Sequence, residues 1–249
     1  MTFAREDRDP VDSPDSPVSG ENSAPGSSTA AAKAPSLPLW QEMLLLLAVA
    51  LVLAIAIKSL FVQAFYIPSG SMNDTLVLND RILVQKVSYW GDADPERGDI
   101  VVFADPGGWL DGPAGATATT PVARVLELFG LFPTGGHLVK RVIGVGGDRV
   151  RCCDAQGRIL VNDVPLNEEG YLAPGERASL IDFDIEVAEG YLWVQGDNRS
   201  SSADSRLHLG DPGGGQVSMD DVVGKVFAVV WPLPHASLLE RPATFNGVG

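Results

Sequence analysis

Apolar and polar positions divide the chain into three unlike stretches. Residues 43–57, MLLLLAVALVLAIAI, are fifteen apolar residues in succession, a run with no polar face and so no amphipathic period. At 1.5 Å per residue they extend about 22 Å, short of a hydrocarbon core of about 30 Å. Continuing past Lys58 through Phe65 brings a helix to about 35 Å. Lys58 then snorkels to the interface, while Trp40 and Tyr66 stand where aromatic belts form. The pattern predicts a membrane span over residues 39–66.

Before the span, residues 1–38 hold six Pro, seven Ser and almost no large apolar residue after Phe3. Such a stretch buries too little surface to offset its ordering entropy and reads as a disordered tail. After it, residues 67–249 alternate short β-rich runs with Gly, Asp and Pro turns. The runs are Arg81–Val87, Asp99–Phe103, Leu138–Val145, Arg149–Val150, Arg158–Val161, Tyr191–Gln195 and Val222–Trp231. Their spacing predicts a mainly β, antiparallel domain rather than βα units. The Gly/Pro/Thr-rich stretch around residues 104–137 is too long for a hairpin loop and reads as an insertion, with a helical candidate at Val122–Phe132.

Two readings of the span compete. Val62-Gln63-Ala64 has the small-x-Ala form of a leader cleavage site, whereas 42 residues before the apolar run are long for a secretory leader. Lys33 and Lys58 flank the run symmetrically, so basic-residue bias sets no orientation. A permanent anchor is favoured by the motif that follows the span directly.

Charge and cysteine content narrow the chemistry. Eighteen Lys+Arg against 32 Asp+Glu give a net charge of −14, which repels a phosphate backbone and argues against nucleic acid as a partner. Two cysteines support neither a disulfide scaffold nor a four-cysteine metal site. Cys152 and Cys153 lie next to each other, so strand alternation puts one toward the core and one outward. A vicinal disulfide is open to them outside the cytoplasm, and a structural role is favoured over a redox one.

The common catalytic motifs are missing: no HExxH, no GxSxG and no P-loop. Gly144–Asp148 lacks the dinucleotide spacing and reads as a turn. His137, His208 and His235 stand in no context that suggests a Ser-His-Asp triad, and none of the five lysines follows a serine by three. What remains is an ordered set. Ile67-Pro68-Ser69-Gly70-Ser71-Met72 follows the span, and Arg97-Gly98-Asp99-Ile100-Val101-Val102-Phe103 and Leu138-Val139-Lys140-Arg141-Val142-Ile143-Gly144 come next. Gly196-Asp197-Asn198-Arg199-Ser200-Ser201-Ser202-Ala203-Asp204-Ser205-Arg206 completes it.

Taken singly, each motif has an ordinary reading: a polar turn, a solvated strand pair, a surface loop held by Asp–Arg pairs. Together and in order they resemble the signature boxes of bacterial signal peptidase I, a family of membrane-bound Ser-Lys endopeptidases. The resemblance runs from about Met43 to Trp231. It implies Ser71 as nucleophile, Lys140 as general base, Ser69 with the Ser71 N–H as oxyanion hole, and Ser202 as the serine that orients the lysine. Asp197, Arg199, Asp204 and Arg206 match bracing positions, and Ile67, Pro68, Leu76 and Val139 match substrate-pocket positions. Ser200, Ser201 and Asp74 depart from the usual residues. The family implies removal of signal peptides from preproteins with small residues at the positions before the scissile bond and two further upstream. It also implies a single-pass plasma-membrane protein with its catalytic domain extracytoplasmic, the lipid bilayer as a partner, and no metal or organic cofactor.

The chemistry is sound in its own right. Serine needs a base, and a lysine of ordinary pKa of about 10.4 is about one part in a thousand neutral near pH 7.5. It must be desolvated to serve. Leu138, Val139, Val142 and Ile143 surround Lys140 in sequence and supply apolar cover, while alternation turns Arg141 to the other face, where it stays solvated in a structural pair. Two rivals stand against this reading. A self-cleaving Ser-Lys protease related to the SOS-response repressors shares the dyad but carries a DNA-binding head and no span. A membrane-tethered binding module with an inert dyad would fail to react with an acylating serine probe.

Overall fold

The strand pattern folds as the alternation predicts, into two antiparallel sheets. The computed structural model describes residues 38–89, 91, 93–110 and 136–248, with the side chains of 56–60 excepted. The predicted tail and the Val122–Phe132 helix, with most of the expected insertion, fall outside the described residues. Helix α1 covers Leu39–Phe61. Over residues 42–55 its side chains are exposed on every side, from Leu44 at 61% to Leu47 at 70% and Leu53 at 58%. Among the described residues, which leave out the side chains of 56–60 inside α1, no helix is long and apolar enough to cross a membrane.

Hydropathy continues the helix to Phe65, but the chain turns to strand earlier: β1 is Val62–Tyr66. It pairs antiparallel with β2 (Arg81–Gln85), in a register from Val62↔Gln85 to Tyr66↔Arg81, and the Lys86 N–H donates to the Phe61 carbonyl at 3.0 Å. The ladder pairs the backbone groups of β1 that face β2, and Phe65 is buried with Ile82 and Val84. This long-range pairing overrides the local helical pattern.

The larger sheet runs in the order β1-β2-β11-β3-β4-β9-β10, with β12 on β11. Here β3 is Ile100–Ala104, β4 His137–Val145, β9 Tyr191–Gln195, β10 Val217–Ser218, β11 Val222–Trp231 and β12 Ser237–Leu238. The smaller sheet runs β7-β6-β5-β8, made of β5 (Arg149–Cys152), β6 (Leu160–Val161), β7 (Val164–Pro165) and β8 (Phe183–Glu186). All pairings are antiparallel. Three apolar clusters fill the interior. One lies under β1, β2 and β11, a second around β3, β4 and β9, and a third joins the small sheet to Trp193 and the C-terminal Phe245. A disulfide links Cys152 to Cys153. Cys152 packs against the third cluster while Cys153 is exposed, as strand alternation requires.

Asp148, in the turn between β4 and β5, ties these parts together. It is 2% exposed and takes two hydrogen bonds of 2.6 Å from Arg97, one from the Val145 N–H at 2.8 Å and one from Asn162 at 2.8 Å. Arg97 also reaches the Val248 carbonyl. Burial alone raises the Asp148 pKa, but Arg97 and the other donors outweigh it and hold the carboxyl below its usual range. We expect Asp148→Ala to lower the unfolding free energy by about 3 kcal/mol in urea titrations, because it strands a guanidinium and a buried N–H. With the folded-state pKa below the unfolded one, this stabilisation is present above the unfolded pKa and is lost as pH falls through the folded one. The gap between wild type and variant should therefore close in acid.

Candidate active site

Ser71 sits in the connection between β1 and β2, and Asp80 closes the base of that connection. The Ile67 N–H donates to the Asp80 carbonyl at 2.9 Å, the Asn79 N–H to the Ile67 carbonyl at 2.9 Å, and the Val77 N–H to the Asp80 carboxylate at 2.7 Å. Within it, turn bonds from Asn73 N–H to Gly70 carbonyl and Leu76 N–H to Met72 carbonyl coil the backbone. Met72 and Leu76 are driven into the core, 1% and 0% exposed. The serine is thus held on a turn anchored at both ends and plugged from below.

Lys140 lies in the middle of β4, opposite Val101 of β3, so its backbone is fixed by the sheet. Its Nζ is 2.7 Å from Ser71 Oγ, and the two residues are 4% and 8% exposed. Burial lowers the Lys140 pKa from its ordinary 10.5 to about 8, with Asp204 and Asp197 pulling it back up and Arg206 pushing it down. The ammonium donates to the hydroxyl oxygen; the neutral amine accepts the hydroxyl proton along the same line. Ser69 Oγ stands 3.4 Å from Ser71 Oγ.

The loop after β9 encloses this pair, through arginines rather than apolar packing. Asp197, 0% exposed, receives two hydrogen bonds from Arg141, at 2.9 and 2.6 Å, and one from Thr75 Oγ1 at 2.6 Å. Arg141 also donates to the Gly98 carbonyl and lies 4.4 Å from the centre of the Tyr171 ring. The expectation that Arg141 stays solvated is therefore corrected. It is on the opposite face, but Tyr171 and Asp197 cover that face and leave it 2% exposed.

Arg199 pairs with Glu168 at 2.6 Å and donates to the Gly196 and Ala178 carbonyls. Arg206 pairs with Asp204 and donates to the Arg199 carbonyl. Burial raises the Asp204 pKa, but Arg206 and the Gly196 N–H bring it below the usual carboxylate range. Asn198 joins the loop to the serine turn: its N–H donates to the Ser71 carbonyl at 3.0 Å and its Nδ2 to the Gly70 carbonyl at 2.9 Å. Only glycine fits at 196, since a Cβ there would overlap the Ser71 carbonyl oxygen and Ser202 Oγ.

Two further expectations need correction. Ser202 is buried behind Gly196, but its hydroxyl lies toward the Asp204 carboxylate, and the expected bond to Lys140 is not made. The Lys140 amine faces Ser71 instead. Leu76 is wholly buried beneath the serine turn and does not line the cavity beside it. That cavity, about 170 Å³, opens on Ser69, Ser71 and Lys140 and is walled by Ile67, Pro68 and Val139, together with Phe65, Leu110 and His137.

Sequence reading missed Thr75, Glu168, Tyr171 and Asn198. Asn198 lay inside a recognised motif, but the other three had no motif signal. His208 is paired with Asp211 and stacked on Trp109, and His235 lies 3.1 Å from Asp80; neither lines the serine–lysine cavity.

A family model described as signal peptidase, peptidase S26, matches residues 40–231. A probable signal peptidase I of Mycobacterium leprae is 34% identical over 242 residues, covering 85% of this chain and 79% of its own. A signal peptidase I of Mycobacterium tuberculosis is 36% identical over 217 residues, covering 77% and 72%. The crystal structure of a signal peptidase I from Enterococcus faecalis aligns at 25% identity with a TM-score of 0.33, over 54% of this chain and 98% of that one. With the family's motif residues gathered around one buried serine–lysine contact, the chain belongs to the signal peptidase family, peptidase S26.

Proposed function

We propose that the chain removes N-terminal signal peptides from exported preproteins, with Ser71 as nucleophile and Lys140 as general base. The observation that carries these roles is the 2.7 Å approach of Lys140 Nζ to Ser71 Oγ where both are nearly shut off from water. The relatives' names support the substrate class.

The contact between Lys140 and Ser71 supports an acyl-enzyme reaction. Ser71 Oγ attacks the scissile carbonyl carbon as neutral Lys140 takes its proton. The resulting oxyanion is met by the Ser71 N–H and the Ser69 hydroxyl. The ammonium then protonates the leaving amine, which departs as the mature N-terminus and leaves an ester on Ser71. A water, deprotonated by the regenerated amine, hydrolyses that ester and frees the signal peptide's carboxylate. Ile67, Pro68 and Val139 leave room for small side chains, which favours alanine before the scissile bond and two residues further upstream.

A membrane anchor belongs to the same proposal. Helix α1 has 23 residues, about 35 Å at 1.5 Å each, and over residues 43–55 it presents apolar side chains all round rather than one apolar stripe. A helix of that kind is stable in hydrocarbon and unfavourable in water. The catalytic domain then works on the extracytoplasmic side of the plasma membrane, where exported chains emerge.

Four outcomes test this reading. Ser71→Ala and Lys140→Ala should each abolish cleavage of a preprotein while circular dichroism stays native, and Lys140→Arg should be almost as inactive because a guanidinium stays protonated. Ser69→Ala should lower kcat by about 10²- to 10³-fold with little change in KM; substantial turnover in any dyad variant would refute the assignment. With Lys140 acting as the neutral amine, kcat/KM on an Ala-x-Ala peptide should rise with pH through about 8. A limb near 6.5 that disappears on replacing a histidine would move the base elsewhere. Finally, the chain should stay with membranes after carbonate washing, whereas a mature N-terminus at Phe65 would show that the segment is a leader cut after Ala64.

A further inference from the structure

Two polar residues that the reaction does not use line the cavity beside Ser71: Tyr66, whose hydroxyl is hydrogen-bonded to Asn79, and His137. His137 begins β4, three residues before Lys140, and lines the cavity with Phe65, Leu110 and Val139. Its ring meets Phe65 edge-on, centroids 5.6 Å apart at 62°. Its Nδ1 is buried and, among the described residues, has no hydrogen-bond partner. A buried ring nitrogen left without a partner is unfavourable, and cavities that receive a substrate are where such an atom finds one. The soft two-fold torsion of the ring presents either nitrogen edge to the cavity. The space, about 170 Å³, exceeds what a methyl group fills, since a water molecule occupies about 30 Å³.

We infer that His137 is a specificity-determining residue that hydrogen-bonds a hydroxyl side chain, serine or threonine, upstream of the scissile bond in the peptide. The inference rests on the peptidase reading above and refines its substrate class: the pocket selects by chemistry as well as by size. A hydroxyl suits the site better than a carboxylate. It satisfies one nitrogen with one bond, whereas an acid would be stripped of water beside Phe65, Val102 and Leu138 in a chain of net charge −14.

The test uses the full chain in detergent and peptides that keep alanine before the scissile bond. Alanine, threonine and valine are placed in turn at each of the preceding positions, and kcat/KM is measured. Valine matches threonine in shape and lacks only the hydroxyl. At one position threonine should be cut about ten-fold better than valine, the worth of one retained hydrogen bond. In His137→Leu the threonine-to-valine ratio should fall to about one, and in His137→Gln, which keeps a polar group, it should stay above one. The ratio is read within each enzyme, so any general loss of activity cancels. Equal rates for threonine and valine in the wild type, or a preference that survives His137→Leu, would overturn the inference. Failure of the wild type to cut even the all-alanine peptide would overturn the peptidase reading instead.

Discussion

Everything near Ser71 is arranged around one unfavourable act, the removal of a lysine side chain from water. A lysine at pKa about 8 in place of 10.5 carries a penalty of about 3 kcal/mol whenever it is charged. Nothing in a peptide sequence makes a lysine accept this; the sheet does. Lys140 is on β4, which has β3 along one side and β9 along the other from Arg141 onward, and the loop after β9 closes over it. The amine then meets the serine hydroxyl rather than solvent. A histidine base would need no such burial, because its ordinary pKa is already near neutrality. A lysine base shifts the burden from orienting an imidazole to holding a dry site rigid.

That rigidity comes from buried ion pairs. Arg141–Asp197, Arg199–Glu168 and Arg206–Asp204 are nearly inaccessible on both sides. Such pairs add little stability over an apolar core, but losing one partner is strongly destabilising. Their value here is geometric. Arg141 ties β4 to the loop, Thr75 ties Asp197 to the serine turn, and Asn198 holds the carbonyls of Gly70 and Ser71. Ser71 and Lys140 therefore stand on elements tied to one another by hydrogen bonds. Gly196 lets the two backbones approach closely enough for this to work.

The sequence was most legible where a residue's role is local. Runs such as Tyr191–Gln195 and Val222–Trp231 carry enough alternating or β-branched residues to declare themselves, and both strands lie where the pattern puts them. Strands β7, β10 and β12 have two residues each and show no period at all. Val62–Tyr66 misled for a different reason: hydropathy scores the same residues alike in lipid and in a core, and only the distant partner Arg81–Gln85 distinguishes them. The serine–lysine pair was legible through its motifs. The partners of the arginines were not, because Glu168 and Tyr171 come from irregular chain whose contacts form only on folding. Arg141 was expected in water for the same reason: alternation gives the face and says nothing of what covers it.

The arginines also act on Lys140 electrically, beyond holding the loop in place. Asp204 and Asp197 both raise the pKa of Lys140, and Arg206 lowers it. Left unpaired, two buried carboxylates near an amine would keep it protonated at neutral pH and so inert. Arg206 lies on Asp204 and Arg141 on Asp197, so each acid reaches the lysine with a positive charge beside it. With the carboxylates so offset, burial is the largest influence on Lys140, and its direction is downward. Neighbouring Asp and Arg in the loop motif thus serve one requirement: acids fix the backbone through their hydrogen bonds without returning the charge that burial removes. A loop braced by apolar side chains would also have kept water out, but it would have lacked the directional bonds that fix Ser71 and Lys140 at 2.7 Å.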